Sequence, residues 1–430
     1  MGVLLYWWFG IFRPQDWIWW DVSGLRLPLI AAAVLILPSF LQGKFPRLDN
    51  AIARLMVFWL ILAVLAHLVN GCEGGGAMAA SMKNMLVLIL VVLLTERIVS
   101  NHQQLLGVVF IVGASLGFYS GKGGIHALLG GGAVNYGASN LTGLFSGSNG
   151  FALGSAILLF FIIFIYQMSG KEQYQKYAPA FVQSERLRLI AKYVSMAMIF
   201  GTVYNVVSLF SRGSALAMAI GILFWIYLHG KSLKIFIYLG ILSVILLAVV
   251  PLPQGYEERI RSIFAEEDDM DKSAMSRPHF WRTATEMTAE HPIGIGPGCY
   301  ARYYDRFDST GGYYKTGRSV HSSHFQILAE IGYLGMLLWL LLFVVAHKKL
   351  MAVRRQALAN PNHEHSFFYL NLANALACAQ VVFFIGGAFY EQAYNDLIWL
   401  IWGLTIALQR LQNQQQEPAK PLGRAVEGAR

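Results

Sequence analysis

His321 and His324 stand three residues apart in His321-Ser322-Ser323-His324-Phe325-Gln326-Ile327-Leu328-Ala329-Glu330-Ile331-Gly332, where a polar stretch gives way to an apolar one. On a helix this spacing puts both rings on neighbouring faces at its mouth. Two histidines without a third ligand of suitable spacing do not make a zinc site, and neither a metal nor another cofactor is expected. An imidazole titrates near neutrality and can take a proton from a hydroxyl, which makes His321 the candidate general base. Glu330 lies about 13 Å deeper if the stretch is helical. That is too far to orient His321 directly, and it reads as a partner for polar groups between helices. His324 and Glu330 are supporting candidates.

Cations could serve that base by binding an anion. Arg212 sits in Ser211-Arg212-Gly213, a tight turn between two apolar segments. Such a turn either aims a guanidinium and backbone N–H groups at a phosphate or anchors the chain at a membrane interface. Arg277 opens Arg277-Pro278-His279-Phe280-Trp281, and His291-Pro292-Ile293-Gly294-Ile295-Gly296 follows as a turn. That turn lacks the strand-turn-helix setting of a nucleotide fold. Lys83 either snorkels to the headgroups or binds an anion. Arg318, Arg302 and Lys315 read first as solvated loop cations, with Arg318 the weaker candidate for an anion. The acidic run from Glu266 to Asp271 reads as a solvated face rather than a cation site.

The elements that must position these groups are membrane helices. Of 430 residues, 56% are hydrophobic and only 13% charged, about half the charge of a soluble protein. Apolar segments fall at 1–20, 25–42, 51–70, 77–96, 103–120, 150–168, 190–210, 214–230, 234–251, 323–346, 367–390 and 396–411. The expected fold is an all-α polytopic membrane protein of about 12 transmembrane helices. The first segment is the exception: its clean run stops at Arg13-Pro14, so it is re-entrant or follows a helix outside this sequence. The organisation expected is an N-terminal helix bundle (1–251), a large loop (252–322), C-terminal helices (323–411) and a tail (412–430). Short helices are expected in the loop at Pro278–Glu290 and Tyr300–Phe307.

The net charge of +9 is explained by topology without nucleic acid. Nineteen Lys/Arg fall on one set of short connections and the tail, against four on the other set. The positive-inside rule then puts both termini in the cytoplasm and the 252–322 loop outside it, with all the candidate residues on the outward side. Cys72, Cys299 and Cys378 are scattered, and the spacing supports neither a metal site nor a disulfide scaffold.

Taken in order, these motifs resemble the O-antigen ligase and polymerase superfamily of bacterial envelope glycosyltransferases. The resemblance rests on the Ser-Arg-Gly turn (211–213), Arg-x-x-x-Trp (277–281), His-Pro-x-Gly-x-Gly (291–296) and His-x-x-x-Phe-Gln-x-Leu-Ala-Glu-x-Gly (321–332). Gly10-Ile-Phe-Arg-Pro-Gln-Asp-Trp17 is similar to a subgroup described as exosortase-associated O-glycosylation ligases. Ser322 departs from the pattern, because many relatives carry Asn there.

The resemblance implies a GT-C-like fold with a large periplasmic loop in a Gram-negative inner membrane. It implies transfer of a polysaccharide from an undecaprenyl-pyrophosphate carrier to lipid A-core, with membrane lipids around the protein. His321 matches the family's essential histidine, and Arg212 and Arg277 match its motif arginines. The expected reaction is metal-independent and inverting, with His321 as base and Arg212, Arg277, Lys83 and Arg318 on the pyrophosphate. O-antigen polymerase and protein O-glycosylation ligase are alternatives of the same class. A flippase for lipid-linked saccharide is the alternative of another class, though no internal pairing of segments supports it.

Overall fold

The computed structural model describes residues 1–17, 25–72, 76–130, 147–230 and 272–416. In chain order its helices are α1 (Gly2–Trp7), α2 (Leu27–Leu41), α3 (Ala51–Asn70), α4 (Gly76–Ile98), α5 (His102–Leu129), α6 (Ser148–Met168) and α7 (Lys171–Tyr177). There follow α8 (Glu185–Ser208), α9 (Arg212–Leu228), α10 (Lys272–Glu290), α11 (Tyr300–Phe307), α12 (Ser323–Ala359), α13 (Ser366–Gly387) and α14 (Asp396–Gln416). No strand occurs among the described residues. This is what lipid requires, since helices satisfy their own backbone where no water can.

The chain is a helical polytopic membrane protein. Among the described residues six helices, α3, α5, α6, α8, α12 and α13, are long and apolar enough to cross a bilayer. Gly2–Phe12, α2 and α9 are apolar but shorter. The expected segment at 234–251 and the acidic run Glu266–Asp271 lie outside the described residues. Large apolar side chains such as Leu37, Phe58, Leu68, Phe200 and Leu337 are exposed, as the lipid-facing side of a bundle demands.

Helices in lipid associate through close backbone approach rather than apolar burial. The α5–α8 pair does so along a glycine seam. A Cβ added to Gly124 would lie 1.7 Å from the Gly201 carbonyl oxygen, and Ser120 and Thr202 share a hydroxyl hydrogen bond of 2.7 Å. This seam carries α5 on to Leu129, past the loop start expected at 121, so Lys122 belongs to a helix. Between α3, α12 and α14 the packing is aromatic instead. Trp59, Trp339, Trp399 and Trp402 are fully buried, with Trp59 and Trp399 ring centroids 4.8 Å apart.

The loop before α12 has a core of its own, built from Phe280, Met287, Tyr300, Tyr304, Val320 and their neighbours. The expected helices are there, the first beginning earlier, at Lys272. Its His291–Gly296 turn docks on α12 at a break. Gly332 takes φ 76°, ψ −173° inside α12, which frees carbonyls of the preceding turn. The Ile295 amide donates to the Ala329 carbonyl at 3.0 Å and the Gly296 amide to the Glu330 carbonyl at 2.9 Å. The glycines of both motifs follow from this approach: a Cβ on Gly294 would meet the Glu330 carbonyl oxygen at 2.4 Å.

One expectation is overturned. Cys72 and Cys299 form a disulfide, with Cα atoms 5.8 Å apart and a separation of 227 positions in sequence. The bond joins the chain just after α3 to the residue just before α11. Nothing in the spacing announced it, because only the docking of the His291–Gly296 turn beside α3 brings the two together. Of the three cysteines, only buried Cys378 is free.

Candidate functional site

His321 is the last loop residue before Ser322, whose side chain caps α12 by accepting from the Phe325 amide. It takes φ 50°, a left-handed conformation that is costly for a residue with a side chain. Its ring packs against Phe280 with centroids 5.7 Å apart. The Arg318 guanidinium lies 5.7 Å from the centre of the same Phe280 ring. A single buried phenyl from α10 therefore sets both groups. Burial holds the His321 pKa below the ordinary histidine value, and the charges of Arg277 and Arg318 lower it further. The imidazole is accordingly neutral near pH 7 and able to accept a proton.

Arg277 projects from α10 onto the Phe389 ring, 5.7 Å from its centre. The Nε–H groups of Arg277 and Arg318 are both buried without a hydrogen-bond acceptor among the described residues. Buried donors are nearly always satisfied, so two such guanidiniums beside one histidine make a fitting surface for an anion. Arg212 begins α9, two residues after Phe210, another non-glycine residue with positive φ. The rest of the Arg277–Trp281 motif is scaffolding. His279 pairs with Asp308 at 3.0 Å, and Trp281 stacks on Phe325 at 5.2 Å. Burial pushes the Asp308 carboxyl up, but bonds from Thr310 and Gly312 and the nearby His279 outweigh it and leave the pKa at about 2.

The segment between α13 and α14 ties these pieces together. Phe389 carries Arg277, and the Tyr390 hydroxyl bonds Ser211 Oγ at 2.6 Å, holding the turn that presents Arg212. Ser323 Oγ donates to the Tyr390 carbonyl at 2.6 Å, and the Gln392 amide donates back to Ser323 Oγ at 3.0 Å. Gln326 Nε2 donates to Glu391 Oε1 at 3.2 Å. Sequence reading passed over this segment, placing Phe389 and Tyr390 in the span 367–390. The signal was a run of polar and aromatic residues, Phe389 to Asp396, interrupting two apolar helices.

Two candidates take other places. Glu330 is fully buried, accepting from the Tyr300 amide at 3.1 Å and the Tyr394 hydroxyl at 2.5 Å. It joins loop to bundle without touching His321. His324 has both ring nitrogens occupied: Trp339 Nε1 donates to Nδ1 at 3.0 Å, and Nε2 bonds the Phe384 carbonyl at 2.9 Å. It has no nitrogen left for chemistry. Arg302 and Lys315 lie on exposed parts of the loop.

Lys83 is exposed and lines a cavity of about 770 Å³ together with Arg13, Arg26, Asn84, Gln326 and Glu391. His321, Arg212, Arg277 and Arg318 do not line it. Glu391 thus stands between the cavity and the His321 loop. The structure brings together His321, Arg277 and Arg318, holds Arg212 through the shared Tyr390 segment, and puts Lys83 in the adjoining space.

Residues 197–340, about a third of the chain, match the family model described as O-antigen ligase. Over those residues the chain is similar to the O-antigen ligase and polymerase superfamily, which the match supports. The match contains Arg212, Arg277, Arg318 and His321, but neither Lys83 nor Glu391. It places the chain among glycosyltransferase-like enzymes of lipopolysaccharide and glycan assembly, which implies lipid-linked glycan substrates. No curated protein matches the chain.

Proposed function

We propose that the chain transfers a polysaccharide from undecaprenyl pyrophosphate to a hydroxyl of lipid A-core, at the periplasmic face of a Gram-negative inner membrane. One observation carries the chemistry: a neutral, strained imidazole fixed on Phe280 beside two guanidiniums whose Nε–H groups lack acceptors. The acceptor oxygen attacks the anomeric carbon while His321 removes its proton. As the new C–O bond forms, the bond to pyrophosphate breaks on the opposite face with inversion. Arg277, Arg318 and Arg212 meet the charge growing on the leaving undecaprenyl pyrophosphate. These groups supply electrostatic stabilisation that needs no metal ion.

The orientation has two supports. The positive-inside count assigns the site's end of the bundle to the outer side. The Cys72–Cys299 disulfide lies at that same end, and disulfides persist in oxidising compartments such as the periplasm.

Purified protein given carrier-linked glycan and lipid A-core should form the joined product without an energy source. His321→Ala should abolish transfer at normal protein level; near-normal activity would refute the base assignment. Loss of activity in EDTA with recovery on Mg²⁺ or Mn²⁺ would refute metal independence. Supplying only carrier-linked glycan separates a polymerase, which would extend it, from a ligase, which would not. Movement of lipid without any linked product would indicate a transporter.

A further inference from the structure

The cavity that Lys83 faces, about 770 Å³, has the size of a small-molecule site. Its lining divides by chemistry. Cations come from the N-terminal part of the chain: Arg13, Arg26 before α2, and Lys83 of α4. Arg13 is paired with Asp16, Nε to Oδ2 at 2.8 Å. Arg26 and Lys83 are exposed to the cavity and have no side-chain partner among the described residues. Amides and carboxylates come from the C-terminal part: Gln326 of α12, Glu391 and Gln392 of the segment after α13, and Asp396 at the start of α14. Glu391 Oε2 is buried with no hydrogen-bond partner in ordinary range, an acceptor in want of a donor. This second group adjoins the reacting histidine. Gln326 lies in the first turns of α12, five residues beyond His321, and the Gln392 amide donates to Ser323 Oγ at 3.0 Å.

We infer that this cavity holds the acceptor as a phosphorylated saccharide, its phosphate on Arg26 and Lys83 and its hydroxyls on Gln326, Glu391 and Gln392. This rests on the reading of the chain as a transferase with His321 as base. Two substrates must meet there, and the arginines beside His321 are taken by the leaving pyrophosphate. Inversion brings the attacking hydroxyl to the opposite side of the anomeric carbon, so it does not enter over those arginines. The cavity shares none of them and has cations of its own. A guanidinium binds phosphate through parallel N–H donors, and an ammonium adds a point charge. Amides and carboxylates meet sugar hydroxyls as donors and acceptors. A neutral glycan would leave the cations unused, and a simple phospholipid headgroup would leave the amides and Glu391 unused. The same division sets the acceptor's direction, with the phosphate remote and the hydroxyl face toward His321.

The test measures binding of lipid A-core to the full chain in detergent without donor, so that no turnover intervenes. The probes are the intact acceptor, the same acceptor stripped of its phosphates, undecaprenyl pyrophosphate and phosphatidylglycerol. Arg26→Gln and Lys83→Ala should each weaken binding of the intact acceptor about 3- to 10-fold. Binding of the stripped acceptor and of undecaprenyl pyrophosphate should stay at the wild-type level. The preference of the wild type for the intact form should shrink as salt is raised. Both positions are exposed, so the variants should melt as the wild type does. Equal losses for the intact and stripped acceptors would overturn the inference. Losses confined to undecaprenyl pyrophosphate would overturn it in favour of the donor, and losses confined to phosphatidylglycerol in favour of a membrane lipid. Transfer retained in His321→Ala would instead remove the base reading, which the binding measurements do not use.

Discussion

The Tyr333 amide donates to the Pro292 carbonyl at 3.2 Å, immediately beyond the break at Gly332. The bond joins the loop before α12 to that helix, and a Cβ on Gly332 would stand 2.1 Å from that carbonyl oxygen. Gly332→Ala therefore meets both a left-handed backbone and a backbone clash. It should cost at least about 2–3 kcal/mol and lower thermal stability in detergent. Transfer should fall in parallel, although residue 332 touches none of the reacting groups. Unchanged melting would refute the account of the break.

Arg318 and Arg277 both lower the His321 pKa, so activity should persist through neutral pH and fall only below the ordinary histidine range. Removing one positive charge makes the imidazolium easier to form. Arg318→Gln should therefore raise the His321 pKa and shift the acid limb of the pH–rate profile to higher pH. It should also weaken stabilisation of the leaving pyrophosphate, by about 100-fold in kcat. A shift in the opposite direction would separate Arg318 from His321.

Phe280 carries both Arg318 and His321 on one buried ring. Phe280→Leu keeps an apolar side chain but removes the flat surface, at a stability cost of about 1–2 kcal/mol. Its effect on kcat should exceed what that small loss explains, because two groups lose their support together. Circular dichroism melting beside single-turnover transfer would measure the two effects separately.

Lys83 should behave differently from the arginines. It faces the cavity shared with Arg13 and Arg26, where it suits a charged part of a lipid substrate distant from the bond being broken. Lys83→Ala should raise the KM of one lipid substrate roughly tenfold or less, leaving the acid limb in place. A kcat loss matching that of Arg318→Gln would put Lys83 on the leaving group instead.

The helical class was legible because lipid allows little else, and composition reveals lipid. The short loop helices were legible from their own patterns, and so was the gathering of His321 and Arg277 at one end of the bundle, whereas Arg318, which shares the Phe280 ring with His321, read first as a solvated loop cation. The Gly332 break was not, since a lone glycine in an apolar run gives no sign of whether a turn will dock there. Glu391 was hidden for another reason. Its place in the structure comes from its bond with Gln326, 65 positions away, and no local period encodes such a meeting. The Lys122 turn of α5 was misplaced because glycines signal loops in water, whereas in a bilayer they also let helices touch.

The Cys72–Cys299 bond bears on how the protein is made. Cys72 leaves the ribosome more than two hundred residues before its partner, so the link can close only after most of the membrane region has been threaded. Both thiols must then share one oxidising compartment. A chain inserted with the wrong handedness across the bilayer would leave them reduced. Sealing of this bond is thus a covalent record of correct topogenesis, written late in biosynthesis.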